Sequence, residues 1–208
     1  MSARFTALEL WPTRIGLFEA DHEWWIHRAL YEQALAASPE GDAPRDAAKR
    51  RVRGILDASE AGRLLKTHLF DCARAFLGDG AAYLSSTYCE HRALVIGHGG
   101  FISTHKDSRE GDITCTYFLT GGGAGKAINS VGNPRFVLED ATRYFDEARL
   151  PFEARHGYSV NPRPGLAVFY PSYTPHNQHP YVGDKPHVQI VANFRVELPT
   201  HLEERLFD

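Results

Sequence analysis

Residues 187–197 read His187-Val188-Gln189-Ile190-Val191-Ala192-Asn193-Phe194-Arg195-Val196-Glu197. Val188, Ile190, Ala192, Phe194 and Val196 alternate with His187, Gln189, Val191, Asn193 and Arg195. Successive side chains of a strand point to opposite faces, so this is a strand with one apolar and one largely polar face. The apolar face asks for a layer of helices. The polar face either lines a wet cavity or meets solvent.

The same texture extends back to Gly80. Short β-branched and aromatic runs predict strands over 83–88, 93–96, 100–104, 113–120, 126–131, 158–160 and 166–170. Gly121-Gly122-Gly123, Asn133-Pro134 and Asn161-Pro162-Arg163-Pro164-Gly165 punctuate them. Many short strands with such turns argue for a sandwich or barrel rather than a parallel α/β sheet. Residues 139–150 suggest a short helical insertion.

The first 80 residues read as mainly helical support. Trp24, Trp25, Ala29, Leu30 and Leu35 predict a helix over 20–37, with the tryptophans as core or groove aromatics. Residues 38–47 form a polar connection. A second helix starts near Asp57, where Asp57 and Glu60 have capping-box spacing. Leu64, Leu65, His68, Leu69, Cys72 and Phe76 then recur at helical intervals up to Gly78-Asp79-Gly80. Residues 198–208 form a last helix, with Thr200 and Glu203 as a capping box. The organisation expected is one domain over 1–208, with its β core over 81–197.

Composition narrows the function. At 208 residues the chain can bury a full core, and the 43% hydrophobic and 24% charged content is that of a globular protein. A net charge of -3 offers no basic surface for nucleic acid. No run of eighteen apolar residues is long enough to cross a membrane, and no apolar leader core follows Met1. Cys72, Cys89 and Cys115 show neither metal spacing nor a disulfide framework, which suits a reducing cytoplasm.

The chemistry lies in Ser103-Thr104-His105-Lys106-Asp107-Ser108 and Tyr170-Pro171-Ser172-Tyr173-Thr174-Pro175-His176. His105 and Asp107, two apart at a strand end, project to one side. With His176 they spell the two-histidine, one-carboxylate set that holds ferrous iron on one face and leaves positions open for dioxygen. The H-x-D triplet alone is a weak signal. His179 and His187 are rivals for the distal position, and His201-Leu202-Glu203 reads as a solvated helical decoy. Gly121 to Lys126 lacks the residues of a phosphate loop, since Ala127 follows the lysine.

From about Phe101 to Phe194 the chain resembles the 2-oxoglutarate/iron(II) oxygenase family. The segments that carry the resemblance are HKDSREGDITCTYFL, GNPRF, PRPGLAVFYPSYTPHNQHP and HVQIVANF. It implies a mainly β fold, a double-stranded β-helix (a jelly-roll, cupin-like barrel) packed against N-terminal α-helices. It implies iron(II) at His105, Asp107 and His176, with 2-oxoglutarate and dioxygen as cosubstrates. The expected reaction is hydroxylation of an unactivated C–H of a small or amino-acid-like molecule. Asp107 disfavours halogenation, for which relatives vacate the carboxylate position.

The chain departs from the family at one place. The cation that grips the far carboxylate of 2-oxoglutarate falls, by position, on His187, with Gln189 beside it. Lys126 on a neighbouring strand is the charged alternative. Arg195 lies roughly 26 Å along the strand from His187 at ~3.3 Å per residue, which is too far. Two other classes stay open: a metal dioxygenase that ignores 2-oxoglutarate, and a noncatalytic cupin-like module that binds a metal or ligand.

Overall fold

The computed structural model describes residues 3–10, 13–20, 24–38, 49–121, 134–139 and 157–197. An N-terminal hairpin comes first, β1 (Ala3–Leu10) paired antiparallel with β2 (Thr13–Ala20). Helix α1 (Trp24–Ala36), strand β3 (Lys49–Arg53) and helix α2 (Glu60–Leu77) follow. After a 3-10 turn come β4 (Leu84–Ile96), β5 (Ile102–His105), β6 (Ile113–Phe118) and β7 (Phe136–Glu139). The last four are β8 (Gly157–Val160), β9 (Leu166–Pro171), β10 (His176–Gln178) and β11 (His187–Val196).

The strands form two antiparallel sheets. The larger runs β1-β2-β9-β6-β11-β4-β3 and the smaller β5-β10-β7-β8. From β4 onward the chain passes between the sheets in the order large, small, large, small, small, large, small, large. That winding is a double-stranded β-helix. Pairs of strands distant in sequence close it, such as His176 opposite His105 and Ala192 opposite Cys115.

The periodicity of β11 places the core. Val188, Ile190, Ala192 and Phe194 join Ala93 and Val95 of β4, Cys115 and Tyr117 of β6, and Phe169 of β9 in one cluster under the helices. α1 contributes Ile26, Leu30 and Ala34, four apart and therefore on one stripe. α2 contributes Leu65, Leu69, Cys72, Ala73 and Phe76. Phe194 lies 5.1 Å from Phe70 and 6.0 Å from Phe169 between ring centroids. Two smaller apolar clusters sit inside the barrel. One is built on Phe118, Phe136, Val168 and Tyr170, the other on Leu94, Ile96, Ile102 and Val191.

Several local expectations differ from the structure. The N-terminal 80 residues carry three strands besides the helices. β1 and β2 lack a long apolar alternation of their own; β2 is held as a strand by its register along β9. Gly165, at a φ of 84°, permits this contact, since a Cβ there would meet the Ala20 carbonyl oxygen at 2.6 Å. The stretches 83–88 and 93–96 belong to one strand, because the polar residues between them, His91 and Arg92, are buried with partners. Trp25 is 41% exposed, the buried stripe of α1 being set by Ile26, Leu30 and Ala34 instead. Ser59 caps α2, its Oγ accepting from the Gly62 amide at 3.1 Å. Asp57 instead accepts from Lys66 and contacts His91. Strand 126–131, nearly all of the 139–150 insertion and helix 198–208 lie outside the described residues.

The three cysteines are free, with Cys72 and Cys115 buried. Among the described residues no helix is long and apolar enough to cross a membrane.

Candidate metal centre

β5 delivers His105 at its last residue and β10 delivers His176 at its first. The two strands pair antiparallel with these histidines directly opposite, and their rings lie 4.2 Å apart between centroids. Asp107 follows two residues after His105. Its amide donates to the Ser172 carbonyl at 2.9 Å, which ties the loop after β5 to the turn before β10. One ligating atom from each of His105, Asp107 and His176 falls within 4.8 Å of the other two. Asp107 Oδ1 is 3.6 Å from His105 Nε2, and its Oδ2 is 3.7 Å from His176 Nε2.

Each imidazole is oriented by its own strand. His105 Nδ1 lies 2.9 Å from the Ser103 carbonyl, and His176 Nδ1 lies 3.0 Å from the Thr174 carbonyl. A carbonyl only accepts, so Nδ1 carries the proton and Nε2 keeps its lone pair. Burial, and then the neighbouring His105, push His176 down to about 4, so it is a neutral ligand at neutral pH. Asp107 is buried, and its Oδ2 has no hydrogen-bond partner. An orphaned buried carboxylate oxygen facing two imidazole lone pairs is a donor set suited to a divalent cation.

A buried polar chain holds Asp107 from behind. Arg92 Nη2 donates to Asp107 Oδ1 at 3.3 Å, and Arg92 Nη1 donates to Glu110. Asn193 Nδ2 donates to Glu110 Oε2 at 3.1 Å, and the Thr114 hydroxyl donates to Asn193 Oδ1 at 2.8 Å. The Ser172 and Thr114 hydroxyls lie 2.8 Å apart, which brings the chain back to the turn before β10. The polar face of β11 therefore runs into the support of the carboxylate. Arg92, Glu110 and Asn193 went unassigned from sequence. The signal was present for Arg92, which shares a face with Leu94 and Ile96 once β4 is one strand.

A narrow cleft over the histidines is lined by Lys49, Arg51, Arg92, Leu94, Ile102, Thr116, Phe136, Gln189 and Val191. Of the three residues expected to contact a cosubstrate, Gln189 lines this cleft. His187 does not. It is fully buried, its Nδ1 lies 3.0 Å from the Thr120 hydroxyl, and its ring packs near Phe118 and Tyr181. Burial pushes it down to about 4. Lys126 lies outside the described residues.

No protein-family model matches the chain, and no curated protein matches it by sequence. Solved structures do match. A prolyl-4-hydroxylase of Pseudomonas putida superposes with a TM-score of 0.61 at 15% identity, over 88% of this chain and 93% of that one. The epimerase SnoN of nogalamycin biosynthesis, in complex with Fe3+, alpha ketoglutarate and nogalamycin RO, gives 0.60 at 12% identity, over 88% of this chain and 78% of SnoN. HygX from Streptomyces hygroscopicus, with nickel and 2-oxoglutarate bound, gives 0.58 at 10% identity, over 86% of this chain and 82% of HygX. The likeness establishes the fold, a double-stranded β-helix shared with these three proteins.

Proposed function

We propose that the chain is a non-haem iron(II) oxygenase that uses 2-oxoglutarate and dioxygen to oxidise a C–H bond of a small molecule, with hydroxylation as the outcome. The observation that carries the reading is the convergence of two imidazole Nε2 atoms on a buried carboxylate whose Oδ2 lacks a hydrogen-bond partner. His105, Asp107 and His176 hold the metal. Iron(II) there supplies dioxygen activation coupled to decarboxylation of the 2-oxo acid.

The protein contributes placement. The two Nδ1–carbonyl contacts keep both imidazoles in the ligating tautomer. Arg92 offsets part of the Asp107 charge and leaves Oδ2 for the metal. Phe136, Ile102, Leu94 and Val191 supply the apolar part of the cleft wall, which limits bulk water beside the reacting groups. SnoN and HygX are crystallised with nogalamycin RO and hygromycin B respectively, and a small-molecule substrate is the reading carried over from them.

The test pairs metal retention with product. Iron-loaded protein given 2-oxoglutarate and air forms succinate. Asp107→Ala loses iron affinity by more than about 100-fold, beyond the 10- to 100-fold typical of residues that only support ligands, and forms none. Equilibrium dialysis and succinate quantification read both. Unchanged iron affinity in Asp107→Ala rejects the centre. A wild type that binds iron but makes no succinate favours the 2-oxoglutarate-independent or noncatalytic readings.

A further inference from the structure

β3 reads Lys49-Arg50-Arg51-Val52-Arg53 and pairs along β4, with Lys49 opposite Ile96, Arg51 opposite Leu94 and Arg53 opposite Arg92. Residues directly opposite in an antiparallel pair share a face. Lys49 and Arg51 therefore stand on the barrel side with Leu94 and Ile96, while Val52 packs against the core beneath the helices. Both cations line the cleft that holds His105 and His176. β3 lies outside the eight strands of the barrel and at the edge of the larger sheet.

The cleft has more positive charge than it pairs. Arg92 is matched by Asp107 and Glu110. Lys49 and Arg51 have no carboxylate partner within ion-pair distance among the described residues. Burial and the neighbouring Arg51 and Arg92 disfavour the Lys49 ammonium, and Asp107 favours it, so Lys49 is within electrostatic reach of the metal carboxylate. Three cations face two carboxylates before any metal is counted, and a divalent ion adds two further positive charges. A doubly anionic ligand is the complement. The position expected for a carboxylate clamp cannot supply the charge, since His187 is buried and neutral and Gln189 is an amide.

We infer that Lys49 and Arg51 grip the second carboxylate of the 2-oxo diacid whose other end meets the His105–Asp107–His176 centre. The inference rests on the cosubstrate reading above. It places the anion site on β3 and leaves the start of β11 to neutral packing. A guanidinium and an ammonium on one strand face give a carboxylate up to several charge-assisted hydrogen bonds. Gln189, buried on the same face, also lines the cleft.

The experiment uses the full chain loaded with nickel(II), titrated calorimetrically with 2-oxoglutarate and with 2-oxopentanoate. The second acid carries a methyl in place of the far carboxylate. Wild type prefers the diacid by about 10- to 100-fold, the range of a hydrogen bond to a charged group. In Lys49→Met/Arg51→Met the preference falls to within about 3-fold, and 2-oxopentanoate binding, unchanged, reports an intact site. Arg51→Gln alone, at an exposed position, lowers the preference partway and serves if the double variant is unstable. His187→Asn keeps the preference. A double variant that still prefers the diacid overturns the inference and assigns the two cations to an anionic group of the oxidised substrate. Loss of preference in His187→Asn overturns it in favour of β11. Equal wild-type binding of the two acids removes the clamp but leaves the cosubstrate reading standing. Binding of neither acid overturns that reading, and the clamp with it.

Discussion

The two faces of β11 share one backbone and nearly the same burial, yet they are built differently. Val188, Ile190, Ala192 and Phe194 meet the helices in closed apolar packing. His187, Gln189 and Asn193 are equally inaccessible on the barrel side, but they are polar: His187 lies beside the Thr120 hydroxyl, Gln189 lines the cleft and Asn193 donates to Glu110. A buried polar atom left unpaired costs about 1–3 kcal/mol. The helix side gives stability through packing, and the barrel side carries polar groups that need partners, as Asn193 finds in the chain behind Asp107. Burial alone therefore does not distinguish core from site in this chain. The chemistry of what each face meets does.

The sharpest way to break this division is to empty the helix side. Phe194→Ala removes a ring packed between Phe70 and Phe169 and costs about 3–5 kcal/mol of unfolding free energy. Urea denaturation measures it. A loss below about 1 kcal/mol would mean that the helices do not depend on this contact.

Acid probes the barrel side. His187 titrates near 4 in the folded chain and near 6.5 unfolded, so below about 6.5 the unfolded state binds more protons. Stability then falls as pH falls. For this one group the loss between pH 7 and pH 5 is about 2 kcal/mol. His27, His68 and His91, also lowered by burial, add in the same direction. Urea midpoints at the two pH values give the total, and His187→Gln should flatten it. Identical slopes in wild type and variant would show that His187 is not held neutral.

The smallest effect sharpens the contrast. Ser59→Ala removes the α2 cap and costs about 1 kcal/mol, while metal affinity stays unchanged. A change in metal affinity would show that the helical layer positions the centre as well as covering it.

The legible part of the molecule follows from local chemistry. The alternation of β11 and its apolar face toward helices needed only side-chain period. His105 and Asp107 were readable as a strand-end pair, and His176 stood out on its Pro171–Pro175 turn. β3 was not legible, because four cations around Val52 carry no apolar alternation. The face of Arg92 was readable, but its pairing was not. Its partners Asp107 and Glu110 lie 15 and 18 residues away, in a loop.

Sequence by itself determined which residues carry apolar faces and which carry metal-ligand chemistry, because both are properties of side chains at short spacing. Tertiary structure alone decided which of them meet. Pairing β10 with β5 sets His176 opposite His105, and pairing β3 with β4 turns Lys49 and Arg51 into the same barrel. A strand register between distant segments depends on the whole sheet closing. No local pattern encodes it, so the candidate ligands could be named from the chain, while the charge around them emerged only in the fold.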